Sequence, residues 1–152
     1  MSMFSESLRA FLQPVVPFLD DPSVSEIMIN GPTEVWIERG GLLQRTGACF
    51  HEDGLLAAAR NMAQFVGRPL SEEHPRLDAR LPDGSRIHVV LPPMARCGTV
   101  ICIRKFFPGG LSIEQMIQFG SITPEAARLL QVLVVFKQNV MVAGGTGSGK
   151  TT

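Results

Sequence analysis

The sequence has no surplus of charge of either sign: fourteen basic residues balance fourteen acidic ones in 152. Recognition of nucleic acid or of an acidic lipid surface through bulk charge is therefore not expected. A cysteine framework is lacking too. Cys49, Cys97 and Cys102 are odd in number and show no paired C-x-x-C spacing. That excludes a disulfide scaffold or a zinc site and points to buried or free thiols in a reducing compartment. No apolar run approaches the roughly 20 residues that a membrane-spanning helix requires. The opening stretch MSMFSESLRAFLQPVV has neither a basic leader nor a small-residue cleavage site, so no signal peptide is expected. The expectation is a cytoplasmic chain, at most peripheral to a membrane. Lysine is scarce as well, three against eleven arginines. Arginine is favoured where planar contacts to carboxylate or phosphate matter, and it is also abundant in proteins of high-GC genomes.

What is present describes a globular chain with a real core, 45% apolar and 18% charged. Leu8, Phe11 and Leu12 share a helical face over residues 5–13, after which Pro14 and Pro17 interrupt the pattern. That face packs on the chain's own sheet or lies on a membrane or partner. The next segment predicts strands over 24–30 and 34–38, a turn at Asn30-Gly31-Pro32, and a third strand after Gly40-Gly41: an antiparallel meander. Residues 52–66 predict a helix that stops at Gly67, two residues before Pro69. The arginine-dense block that follows contains strands over 85–91 and 98–104. Trp36, between Val35 and Ile37, reads as packing. His51, His74 and His88 are separated and lack metal-ligand spacing, and Glu72-Glu73 beside His74 reads as a solvated loop.

From Phe106 the pattern changes. FPGG is a linker, Ser112 to Gln115 is a capping box, and Gly120 closes the helix it starts. Thr123 caps a second helix with Pro124 at its first position. Residues 126–136 of that helix are apolar nearly all round and predict burial on several sides. NVMVAGG then reads as a short buried strand. The resulting fold class is α+β: an antiparallel sheet with flanking helices over 1–105, a linker with a short helix over 106–122, and the truncated start of an α/β P-loop domain over 123–152.

The last residues supply the clearest chemistry. Gly144, Gly145, Thr146, Gly147, Ser148, Gly149, Lys150 and Thr151 satisfy G-x-x-x-x-G-K-[ST], and Thr152 follows. Glycines let successive N–H groups turn inward around the α- and β-phosphates of ATP. Lys150 reaches the β- and γ-phosphates, and the Thr151 hydroxyl suits Mg²⁺. The acidic strand that would hold Mg²⁺, a water-orienting residue and the helix behind the loop are not in these residues. The 152 residues are therefore expected to be catalytically inactive alone. A flexible glycine-rich tail is the bland alternative.

Taken with DPSVSEIMINGPTEVWIERGG, HPRLDARLPDGSRIHVVLPP and GTVICIRKF, in this order and spacing, the loop makes the chain resemble the type II/type IV secretion ATPases. These are hexameric traffic ATPases, and the likeness is nearest to the CpaF-like tight-adherence pilus branch. The resemblance runs from about Asp20 to Thr152. It implies an N-terminal α/β domain joined to a RecA-like ATPase domain, six subunits in a ring, and a position at the cytoplasmic face of the bacterial inner membrane. It also implies Mg²⁺-ATP between the lobes, inner-membrane platform proteins as partners, no nucleic acid, and work spent on secretion or pilus assembly. Arginines of the N-terminal domain would close over the phosphates, and Arg86 and Arg104 match those positions.

On its strand Arg86 shares a face with His88, while Ile87, Val89 and Leu91 point the other way. Arg104 follows Val100 and Cys102 on an apolar face, where an unpaired guanidinium needs an anion. For both, a nucleotide phosphate competes with an internal salt bridge to Asp78 or Asp83; Arg80 is a third, weaker candidate. A docking module that needs no ATP, and an unrelated P-loop enzyme such as a small kinase, are the competing functions. The upstream blocks argue against the second.

Overall fold

The computed structural model describes residues 3–106 and 111–145. The chain divides into two compact units, Met1–Phe106 and Phe107–Thr152.

In the first unit, helix α1 (Met3–Phe11) leads through a 3-10 turn (Gln13–Val15) into the short α2 (Val16–Asp20). The two prolines do not end the helical path. Each sits in the first turn of a new segment, where its missing N–H costs nothing. Leu8, Leu12 and Val15 are buried, so the apolar face of this arm is used inside the chain.

Strands β1 (Val24–Asn30), β2 (Val35–Arg39) and β3 (Leu42–Arg45) form the expected meander, and α3 (Glu52–Phe65) follows. A second meander comprises β4 (Arg76–Arg80), β5 (Arg86–Val90) and β6 (Val100–Arg104). The two join through β1 and β6 in a six-stranded sheet of order β3-β2-β1-β6-β5-β4, antiparallel at every pairing. Strand β4 is additional to the two strands read in this block. Its alternation, Leu77 buried between exposed Arg76 and Asp78, is short and lies between turn-forming prolines. Pairing with β5 turns it into an edge strand.

Period-2 alternation sends Ile27, Ile29, Ile37, Leu77, Ile87, Val89, Ile101 and Ile103 to one face. There they pack with Leu55, Ala58, Ala59 and Met62 of α3 and with Leu8 and Leu12. The opposite face carries no helix of this unit and holds the polar alternates.

The second unit contains α4 (Ile113–Gln118) and α5 (Pro124–Val135). The capping box at Ser112 and Gln115 forms in both directions, and the Thr123 side chain caps α5. The burial expected around α5 is not met: Leu129, Val132, Val135 and Phe136 are exposed. Residues 138–145 form no strand. A strand exists through its ladder, and none of the described residues after 110 offers one a partner. The loop residues from Thr146 to Thr152, Lys150 and Thr151 included, lie outside the described residues.

Candidate functional site: the open face of the sheet

Register decides which side chains meet on the open face. Glu38 lies opposite Glu26, Glu26 opposite Arg104, Arg104 opposite Arg86, and Arg86 opposite Arg80. Five strands thus contribute to one transverse row that is acidic at one end and basic at the other. The neighbouring row runs Trp36, Met28, Cys102, His88, Asp78. Arg86 and Arg104, placed on separate strands by sequence, are direct cross-strand neighbours.

Both guanidiniums are exposed. Arg104 is not buried on an apolar face, because Val100 and Cys102 belong to the half-covered side while Ile101 and Ile103 enter the core. Its anion requirement therefore arises from like charge rather than from desolvation: residues directly opposite across a sheet destabilise one another when both are cationic.

The acids that could have neutralised them are engaged elsewhere. Asp78 Oδ1 lies 2.7 Å from His88 Nδ1. Asp83 accepts from the Ser85 backbone N–H and hydroxyl, both at 2.9 Å. Glu26 accepts from the Cys102 thiol at 2.9 Å, and Glu38 from the Ser25 hydroxyl at 2.9 Å. Neither Arg86 nor Arg104 forms an ion pair with another described residue. The sequence supplied Asp78 as a candidate partner for an arginine. The fold gives it to the histidine directly across from it on β5.

A second set of contacts holds the arginine-bearing strands in place. Gly84 takes φ +87° in the Pro-Asp-Gly turn, and a Cβ there would lie 2.7 Å from the Phe106 ring. Ser85, 4% exposed, accepts from the Phe106 backbone N–H at 3.3 Å through its hydroxyl. The β4–β5 turn is thereby fastened to the end of β6, fixing the start of the Arg86 strand against the end of the Arg104 strand. Lys105 turns the other way from Arg104. Its Nζ donates to the Asp21 carbonyl at 2.6 Å and the Phe18 carbonyl at 3.3 Å, beside the C-terminus of α2. Burial lowers its pKa against the opposing pull of Asp21 and Asp20.

Burial, and then the Glu26 carboxylate, push the Cys102 thiol up to about 12. It is a hydrogen-bond donor on this face, not a nucleophile. Among the described residues, no group of three His, Cys, Asp or Glu could hold a metal ion, and no helix is long and apolar enough to cross a membrane. The face can bind an oxyanion through guanidinium forks, with the His88–Asp78 pair in the neighbouring row.

Comparison with known proteins is decisive about kinship. Residues 9–152 match the family described as Type II/IV secretion system protein. The chain belongs to this family. Family relatives include the type IV secretion system protein VirB11 of Brucella suis, 32% identical over 96% of this chain and 47% of the relative. Another is a putative conjugal transfer protein of Mycobacterium tuberculosis, 32% identical over 90% of this chain and 41% of the relative. Among solved structures, the VirB11 ATPase from the Brucella suis type IV secretion system, in complex with sulphate, superimposes with a TM-score of 0.70 at 30% identity. That match covers 97% of this chain and 51% of the other. The chain thus spans two-fifths to one-half of the length of these relatives. The six-stranded antiparallel sheet with flanking helices is the family's N-terminal domain architecture.

Proposed function

We propose that this chain is the N-terminal domain, linker and phosphate-binding loop of a hexameric ATPase that powers secretion or pilus assembly at the cytoplasmic face of a bacterial inner membrane. Mg²⁺-ATP is its nucleotide. Gly144 to Thr152 would cradle the phosphates, with Lys150 on the β- and γ-phosphates and Thr151 at Mg²⁺. Arg86 and Arg104 would neutralise charge on the phosphates as the β–γ bond breaks. The EIMINGP, DARLPDGSR and IRKF blocks support the family more specifically than the glycine-rich loop does, and the likeness is nearest to the tight-adherence branch.

The observation that carries this reading is the pair of adjacent, unpaired guanidiniums on an open sheet face, in a chain that also ends in GGTGSGKTT. The acids nearby in sequence are occupied, so the pair is left for an external oxyanion. A relative crystallised with sulphate supports oxyanion binding in the family.

The test uses the full-length protein containing these residues. Arg104→Ala and Arg86→Ala should each lower ATP turnover about 100-fold, the scale of removing one preorganised donor from developing charge, with an unchanged circular dichroism spectrum. Wild-type turnover in a folded Arg104→Ala protein would remove that residue from the site. The docking alternative predicts export or piliation that survives both substitutions, together with Lys150→Ala.

A further inference from the structure

The row on the open face contains a third arginine, Arg80, which the proposed function leaves without a role. Arg80 closes β4 directly opposite Arg86, as Arg86 is opposite Arg104. All three side chains are exposed, and all three point to the same side of the sheet because opposed residues share a face. Adjacent strands are about 4.8 Å apart, so the three α-carbons span roughly 10 Å in a line.

Three cations in consecutive register positions would ordinarily be interleaved with carboxylates. Here none of the three forms an ion pair with a described residue. Asp78, two residues before Arg80 on the same strand and face, pairs with His88. Glu26, across from Arg104, is drawn to the Cys102 thiol. Asp83, between Arg80 and Arg86 in sequence, is consumed inside its own turn. Each of these carboxylates keeps its charge but is held by another donor, and none stands in register between the three arginines. The repulsion along the row is left for an extended anion to relieve.

We infer that Arg80 is a third phosphate-binding residue, and that the row Arg80, Arg86, Arg104 accepts a chain of phosphoryl groups rather than a single one. This rests on the proposed phosphate role of Arg86 and Arg104. Guanidinium forks set side by side suit adjacent, multiply charged oxyanions better than one isolated tetrahedral ion. The edge position of β4 leaves Arg80 free to reach inward along the row or out towards solvent.

The experiment is an NMR titration of this chain with inorganic triphosphate in a Lys150→Ala background, which removes the glycine-rich loop's cation. Saturable amide shifts are expected at residues 80, 86 and 104. Arg80→Gln should weaken the apparent affinity about tenfold, comparable with Arg86→Gln and Arg104→Gln, as expected for loss of a charge-assisted hydrogen bond. Arg60→Gln, on the exposed side of α3, should leave it unchanged. Sulphate should saturate the same amides more weakly and respond less to Arg80→Gln. If Arg86→Gln and Arg104→Gln weaken binding while Arg80→Gln does not, the third contact is overturned and the two-arginine site stands. If the wild-type row shows no saturable shifts, both fall. The amide spectrum of each variant reports its fold independently of binding.

Discussion

At the scale of single residues, the three cysteines separate by environment. Cys49 and Cys97 are exposed, whereas Cys102 is half-buried beside Glu26. A thiolate there would face both desolvation and a carboxylate, hence its pKa of about 12. Maleimide labelling at pH 8 should modify two thiols quickly and Cys102 only after denaturation. The linkage has a definite sign. A folded-state pKa raised above the ordinary 9.0 favours the folded form below that value, and stability should fall as pH climbs from there towards 12. Thermal melts across that window, compared with Cys102→Val, would show a shallower slope in the variant. Gly31 illustrates another residue-scale constraint. It holds φ +77°, and a Cβ there would lie 2.0 Å from the Cys97 carbonyl oxygen. Gly31→Ala should therefore lower stability by about 2 kcal/mol or more through strain plus displacement of the β5–β6 loop, read from urea unfolding.

At the scale of elements, the first turn of α3 is tied to the start of β6 by one carboxylate. Glu52 Oε1 accepts from the Thr99 backbone N–H at 2.7 Å and its hydroxyl at 2.6 Å. Glu52→Ala should cost about 2 kcal/mol, the loss of two hydrogen bonds to a charged acceptor less what water restores, measured as a lower urea midpoint with unchanged slope. The α1–α2 arm is clasped differently, by Arg9 and Asp20 in a two-pronged contact at 2.8 and 2.5 Å. The hydrogen bonds from Arg9 hold Asp20 below the ordinary carboxylate value of 3.8. That contribution is present at neutral pH and lost as acid takes the carboxylate through its lowered pKa. Most elements were legible from the residues. The strand over 24–30, the capped helices and the Pro-Asp-Gly turn carry local signals that tertiary packing had no reason to override. Strand β4 was not legible, because five residues with two inward positions carry almost no periodicity. The strand predicted near 140 failed for the complementary reason: apolar composition was right, but a ladder needs a partner.

At the scale of the whole molecule, the two units differ in how completely they bury their apolar surface. The first encloses a continuous core. The second leaves Val135 at 76% and Met141 at 92% exposed. Contiguous apolar surface of this kind drives association. These 152 residues alone should self-associate at micromolar concentration, and Val135→Lys with Phe136→Lys should shift sedimentation towards monomer. The same residues should hydrolyse no ATP in a phosphate-release assay, a result that turnover above background would overturn.

The sequence by itself determined the family, because spaced motifs are local and survive without coordinates, and it singled out the glycine-rich loop, Arg86 and Arg104 as candidates. It fixed the alternation along each strand but not always the buried face: over 98–104, apolar on both sides, packing sent Ile101 and Ile103 into the core and left Arg104 with Val100 and Cys102 on the open face. It did not determine which side chains stand opposite one another. Only the pairing of the strands placed Arg80, Arg86 and Arg104 in one row and gave Asp78 to His88 and Glu26 to Cys102. A salt bridge depends on a few ångströms between residues distant in the chain, and register sets that distance.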